Sequence, residues 1–374
     1  MMNRWWKRGM AVLLTATALT SLTACVNQNQ KELKKQESSA DVQTDDTISL
    51  EIDDPQEKKA VETAKKKVQE SGGDPKIIAT SPAVAEICDK LELDLTGVCE
   101  SSVSTIPKRY KDATTVGTAM SPDMEVVASL DPDWILSPIS LQSDLQPKYE
   151  AIGSDWAFLN LRSVQGMYRS IQELGEIFDR EEQAQKEVDK FTKFYKEYKK
   201  KSKDQEKPKV MILMGLPGSY VIATPNSYVG SLVELAGGEN VYPDSDQEFL
   251  NVNTEDMKTK EPDIILRTAH ALPDQVMEMF EKDFAENDIW QHFEAVKNKR
   301  VYDLSYGSFG MSANFKYQDA LEELQGILYP ENDDGNEADN KETHAGKTSE
   351  QRSGDNAGKH IEKNEERIKT QEEV

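Results

Sequence analysis

The sequence predicts an α/β protein of two Rossmann-like lobes with largely parallel sheets, joined by a long helical spine. Three observations carry that prediction. Short apolar strands alternate with amphipathic helices on both sides of the chain's middle. Two stretches of the first half recur, in the same order, in the second. Between the halves lies a helical segment with one apolar face. The boundaries that follow are a first lobe over 76–162, a spine over 163–207 and a second lobe over 208–330.

The spine divides into two runs. Met167, Ile171, Leu174, Ile177 and Phe178 recur at spacings of three and four, as on a helix with one buried face. Ala184, Val188, Phe191, Tyr195 and Tyr198 repeat the pattern before a lysine-rich end and Pro208. Between the runs, Asp179 offers an N-cap, with Glu182 completing a capping box.

The first repeat is a strand and its exit. Ile77-Ile78-Ala79-Thr80-Ser81-Pro82 reads as a strand entering a helix over 83–91, and Val221-Ile222-Ala223-Thr224-Pro225-Asn226 does the same before a helix over 227–235. The second repeat is longer. Glu125, Asp131-Pro132-Asp133 and Ile135-Leu136 match Glu255, Glu261-Pro262-Asp263 and Ile265-Leu266 at a constant offset. Each copy reads as helix, proline break and apolar strand. Ligands gather at the carboxyl ends of parallel strands, so both strand-to-helix turns are expected to face a cleft between the lobes.

The amino terminus reads as a sorting signal over 1–24. Arg4, Lys7 and Arg8 precede an apolar run from Met10 to Ala24, too short for a membrane span. Leu22-Thr23-Ala24-Cys25 resembles a bacterial lipobox, which makes Cys25 the lipidated first mature residue. Two acyl chains suffice for stable anchoring, on the outer face of a Gram-positive-type cell membrane. Residues 25–75 read as a tether, with one short helix over 55–70 broken by Gly72-Gly73. Residues 331–374 lack aromatic side chains, and are expected to be a disordered acidic tail. A net charge of −23 argues against nucleic acid as a partner.

Enzyme signatures are absent: no Gly-x-Ser-x-Gly elbow, no Gly-Lys-Ser/Thr phosphate loop, no His-Glu-x-x-His. Gly215-Leu216-Pro217-Gly218-Ser219 reads as a tight turn between strands. Of the four histidines, His344 and His360 fall in the tail, and His292 follows Trp290 in an apparent helix. His270 directly follows the strand Ile264-Ile265-Leu266-Arg267, where a structural role and a metal-ligand role both fit. Met120 lies in the loop Val116-Gly117-Thr118-Ala119-Met120-Ser121-Pro122-Asp123, as contact surface or as a thioether ligand to haem iron. Cys88 and Cys99 are free to form a disulfide in an exported protein, but sequence does not set their separation.

Several of these strings together resemble one family. Ile-Ala-Thr-Ser from Ile78, Pro-Lys-Arg-Tyr from Pro107, the Val-Gly-x-x-Met-x-Pro-Asp loop, Leu-Met-Gly-x-Pro-Gly-Ser-Tyr from Leu213 and Asp-Ile-Ile-Leu-Arg-x-Ala-His from Asp263 are similar to IsdE-type haem-binding lipoproteins, among the helix-spined solute-binding proteins of ABC transporters. The resemblance runs from about Lys76 to Tyr329 and implies haem as the transported ligand, with no covalent chemistry. Met120 and His270 match the family's axial iron ligands. Propionate contacts are implied around Thr80, Ser81 and Ala83, and around Ser101, Ser102 and Val103, where backbone N–H groups and helix N-termini attract anions. Ordinary helix capping is the other reading of those serines. Tyr306, Phe309 and Met311 are candidates for the pocket wall or for core.

Docking on the ABC permease is implied for Glu86, whereas the matching position of the second lobe is Gly230, and Glu234 is a poor substitute. The resemblance further implies a monomer that takes haem from surface donor proteins. A siderophore or cobalamin carrier on the same scaffold is the nearest rival, hinted at by Arg267 and a few tyrosines. An exported metal-dependent enzyme using His270, or a structural cell-wall protein, stands further off.

Overall fold

A computed structural model describes residues 50, 54–72, 74–102, 104–200 and 205–330. Cys25, Val103, the tail over 331–374, and with it His344 and His360, lie outside the described residues. Those from 50 to 329 belong to one compact unit.

Among the described residues the first element is helix α1 (Pro55–Glu70), started by the Asp54 carboxylate, which accepts from the Gln56 N–H at 2.7 Å. It buries Val61 and Val68 and packs on the spine. Lys65 pairs with Glu181 there at 2.8 Å. Residues 55–70 are thus part of the folded body, a correction to the tether expected over 25–75.

The first sheet has the order β3-β2-β1-β4-β5, from strands β1 (Ile77–Ala79), β2 (Leu95–Val98), β3 (Thr114–Thr115), β4 (Trp134–Pro138) and β5 (Asp155–Leu159). Every pairing in it is parallel. Helices α2 (Pro82–Lys90), α3 (Met124–Ser129) and α4 (Gln142–Ile152) connect the strands. β1 is buried at every position, because a parallel strand between covered faces needs apolar side chains on both. Ser81 caps α2 by accepting from the Val84 N–H, and Asp123 caps α3.

The second sheet is also largely parallel, with one strand reversed. Strands β6 (Lys209–Leu216), β7 (Ser219–Ala223), β8 (Glu239–Asn240), β9 (Phe249–Asn251), β10 (Ile264–Ala269) and β11 (Val301–Asp303) give the order β11-β10-β6-β7-β9, with β8 beside β6. Its β6, β8, β10 and β11 pair in parallel, but β7 runs antiparallel to both β6 and β9. The tight turn at Pro217-Gly218 folds the chain straight back, so this sheet is mixed. Helices α7 (Tyr228–Ala236), α8 (Thr254–Lys258), α9 (Pro273–Glu286), α10 (Glu294–Lys297) and α11 (Tyr317–Leu328) complete the lobe.

Of the two repeats, the longer is reproduced bond for bond. Asp133 donates its N–H to the Lys76 carbonyl at 2.9 Å while its carboxylate accepts from the Lys76 N–H at 2.9 Å. Asp263 and Lys209 make the same pair of bonds at 2.9 and 2.8 Å. Two residues earlier, Asp131 and Glu261 both take positive φ, 48° and 47°. These clamps make β6 the structural counterpart of β1. The Ile-Ala-Thr likeness of β1 and β7 is therefore a shared helix entry reached by different strand directions. As β7 runs against β6, Thr224 lies toward the amino ends of β6 and β10, not at the strand ends where the cleft was expected.

The spine is a pair of helices, α5 (Val164–Ile177) and α6 (Glu181–Lys199). Asp179 is not the N-cap of α6. It takes φ 54° in the turn between the two, and Arg180 occupies the cap without a side-chain bond. The longer of the two, α6, spans about 28 Å at the standard helical rise and reaches both lobes. At its start Gln183 reaches Glu92 of the first lobe at 3.4 Å. At its end the Tyr198 hydroxyl donates to the Leu321 carbonyl of the second at 2.8 Å. Tyr168 stacks on Phe191 at 4.6 Å between centroids, and its hydroxyl lies 3.0 Å from that of Tyr317. Such ring pairs add about 0.5–1.5 kcal/mol each beyond the area they bury.

Candidate functional site

The carboxyl ends of the parallel strands carry the candidate residues. In the first lobe β1 delivers Ser81, β2 delivers Cys99 to Ser102, and β3 delivers the Met120 loop. The Glu100 N–H donates to the Gly117 carbonyl at 2.8 Å, tying the last two loops together. Gly117 and Pro122 pair across the Met120 loop, which needs φ 85° at Gly117, a value that suits glycine. At the turn's tip, Met120 is 68% exposed.

In the second lobe β10 delivers His270, whose N–H donates to the Gly215 carbonyl at 2.9 Å. Past the end of β11, Tyr306 donates its hydroxyl to the His270 carbonyl at 3.2 Å. The imidazole Nδ1 is buried without a hydrogen-bond partner among the described residues. Burial also holds the His270 pKa below the usual imidazole value, so the ring is neutral at pH 7, as a metal ligand requires. Leu272, two residues on, is the other large apolar side chain left exposed among the described residues, at 52%, and its φ is 48°.

Strand order separates this region from the seam that joins the lobes. Arg162, beyond β5, pairs with Glu248, just before β9, at 2.6 Å, and the Ala313 N–H donates to the Leu161 carbonyl at 2.8 Å. β5 and β9 are edge strands. Met120 and His270 come from the opposite sides of their sheets, at β3 and at β10 beside β11.

Among the other expected contacts, Thr80 is a correction. It is fully buried, its N–H donates to the Leu136 carbonyl, and its hydroxyl is shared between Leu136 and Ser137 at 3.2 and 2.6 Å. No donor is left for an anion. The Ser81 hydroxyl caps α2, whereas that of Ser101 accepts from the Ser104 N–H at 3.0 Å in a loop that starts no helix among the described residues. Ala83 stands in the first turn of α2, where amides lack a carbonyl one turn back. Ser102 is exposed in the same loop as Ser101. Phe309 is fully buried and belongs to the core, whereas Tyr306 and Met311 are half-buried.

Glu86 is half-buried on α2. Burial raises its pKa, partly offset by Lys316, by Lys90 and by the Phe315 N–H that it accepts. Lys90 sits 5.4 Å over the Phe315 ring. The carboxylate thus touches the chain that runs back from Tyr306 toward α11. Gly230 cannot match it, because a Cβ there would enter the van der Waals shell of the Thr224 carbonyl oxygen. Cys88 and Cys99 are buried free thiols, both pushed up to about 12 by desolvation. Arg267 is engaged by Asp303 through two bonds at 2.6 and 2.7 Å, and lies over Phe280 and Phe284. It is not free to hold a siderophore. Among the described residues, no three His, Cys, Asp or Glu side chains cluster in a metal-binding arrangement.

Two α/β lobes on a helical strut, with candidate ligands at their strand ends, define a solute-binding protein. The periplasmic binding protein family matches residues 77–306, and the chain belongs to that family, in its IsdE-type branch. The chain is 41% identical over 258 residues to the high-affinity heme uptake system protein IsdE of Staphylococcus aureus (strain Newman), covering 69% of this chain and 88% of that protein. The solved structure of S. aureus IsdE complexed with heme superposes with a TM-score of 0.65 at 41% identity, over 68% of this chain and 99% of that one. An ABC transporter substrate-binding protein from Listeria monocytogenes EGD-e gives 0.66 at 45% identity, with the same coverage.

Proposed function

We propose that this chain binds haem as a transported ligand and hands it to an ABC permease, with Met120 and His270 as the axial ligands. The observation that carries the reading is His270, a neutral imidazole at the end of β10 with one ring nitrogen buried and unpartnered, in a relative of a protein named for heme uptake. An exposed thioether at Met120 supports it, because a soft sulfur ligand opposite imidazole suits haem iron. The protein performs no covalent step. Its residues hold the iron from two sides, offer first-turn amides of α2 near Ala83 to the propionates, and give the ring apolar surface.

Anchoring through a lipid on Cys25 would place the monomer at the outer face of the membrane, where surface proteins donate haem. No helix among the described residues is long and apolar enough to cross a membrane. Release at the permease would begin at Glu86, whose carboxylate already reaches the second lobe through Phe315. The deciding experiment is the absorption spectrum of protein purified with haem. A sharp low-spin Soret band lost in His270→Ala supports the reading, and a colourless wild-type protein ends it.

A further inference from the structure

Two features of Leu272 are unfavourable for the apo fold. Its side chain is 52% exposed, where a polar residue would cost nothing, and its backbone holds φ 48°, ψ 59°. That left-handed conformation is disfavoured for a leucine, while asparagine and glycine accept it readily. Leu272 is also the N-cap of α9, and makes no side-chain capping bond there, although asparagine is among the best residues for that role. Three local preferences therefore point to a small polar residue, and the chain carries a large apolar one.

Location supplies the reason. Leu272 follows His270 by two residues, at the same strand end. The other exposed large apolar side chain among the described residues is Met120. Backbone outliers that the fold does not require collect where a ligand is held. Apolar groups left in water mark a surface that something apolar covers.

We propose that Leu272 is a haem-contact residue, held out by its left-handed backbone to pack on the porphyrin beside His270 and slow haem release. This rests on the haem reading above but assigns a residue that makes no bond to iron.

The test compares wild-type protein, Leu272→Asn and Leu272→Met, each loaded with haem. Haem release to excess apomyoglobin is followed by absorbance, and the thermal midpoint of each apo-protein is measured. Leu272→Asn is expected to release haem about tenfold faster, equivalent to about 1.4 kcal/mol. Its low-spin spectrum stays unchanged and its apo midpoint is equal to or above wild type. Leu272→Met keeps release within about twofold of wild type. Unchanged release in Leu272→Asn overturns the proposal and leaves Met120–His270 ligation standing. A lowered apo midpoint in that variant also overturns it, since the leucine would then serve the fold. Wild-type protein that takes up no haem removes both readings.

Discussion

The Tyr306 hydroxyl donates to the main-chain carbonyl of His270 at 3.2 Å, joining the loop after β11 to the end of β10. The bond fixes the backbone that carries the imidazole, while the ring's Nδ1 has no partner of its own among the described residues. Tyr306→Phe keeps the aromatic surface and removes this one bond, worth about 0.5–1.5 kcal/mol. Haem release is expected to quicken about two- to tenfold with an unaltered six-coordinate spectrum. Stopped-flow transfer to an apo-globin measures it, and an unchanged rate would show that the bond does not steady His270.

Ligand strength separates the two axial residues. Imidazole binds iron more strongly than a thioether, so His270→Ala is expected to lose more haem affinity than Met120→Ala. Titration of haem into both apo-variants gives the comparison directly. Equal or reversed losses count against the assigned ligand pair.

Protonation of His270 gives a second handle on the site. Burial lowers its folded-state pKa below the ordinary value of 6.5. As pH falls below that value the unfolded chain takes the proton first, so apo stability declines until the folded pKa is passed. His270→Ala removes this component, and its apo-protein should lose less stability between pH 7 and mildly acid pH. Urea midpoints across that range check it, and parallel curves for the two proteins would refute it.

How much of this was legible in the sequence differs between the halves. Although its clamps, Lys76–Asp133 and Lys209–Asp263, join residues 57 and 54 positions apart, the Pro-Asp pattern of the repeat was visible in residue types. Strand direction was not, because Ile-Ala-Thr packs equally well in a parallel β1 and an antiparallel β7. The same limit applies to the site. His270 and Met120 stand out as residue types, whereas Leu272 becomes conspicuous only through a positive φ and an exposure that no pattern of letters encodes. Thr80 failed as a contact for a related reason: the sequence shows a hydroxyl, and the fold spends it on Ser137.

Gly230 shows why the second lobe lacks a partner for Glu86. A Cβ at this position overlaps the Thr224 carbonyl oxygen, a backbone atom that cannot rotate away. Gly230→Glu is therefore expected to destabilise the fold by about 1–3 kcal/mol or more, rather than to supply a docking carboxylate. Thermal unfolding of the apo-protein measures this, and a midpoint equal to wild type would mean that α7 shifts freely.

Where α1 meets the spine, Glu173 of α5 is pushed well above the usual carboxylate range by burial and by its hydrogen bond with Glu57, with Arg169 opposing. In the native state it keeps its proton at pH values where the unfolded chain has lost it. The stability this gives is full below about pH 4 and drains away as pH rises through the folded pKa. Glu173→Gln keeps a neutral hydrogen-bonding group at every pH. The variant should therefore lose less stability than wild type between pH 5 and 9, with a gap on the order of 1–2 kcal/mol at the alkaline end. Denaturant midpoints at both pH values decide the matter. Equal pH dependence in the two proteins would mean that Glu173 ionises freely, and that α1 is held by Val61, Val68 and the ion pairs of Lys65 and Lys67.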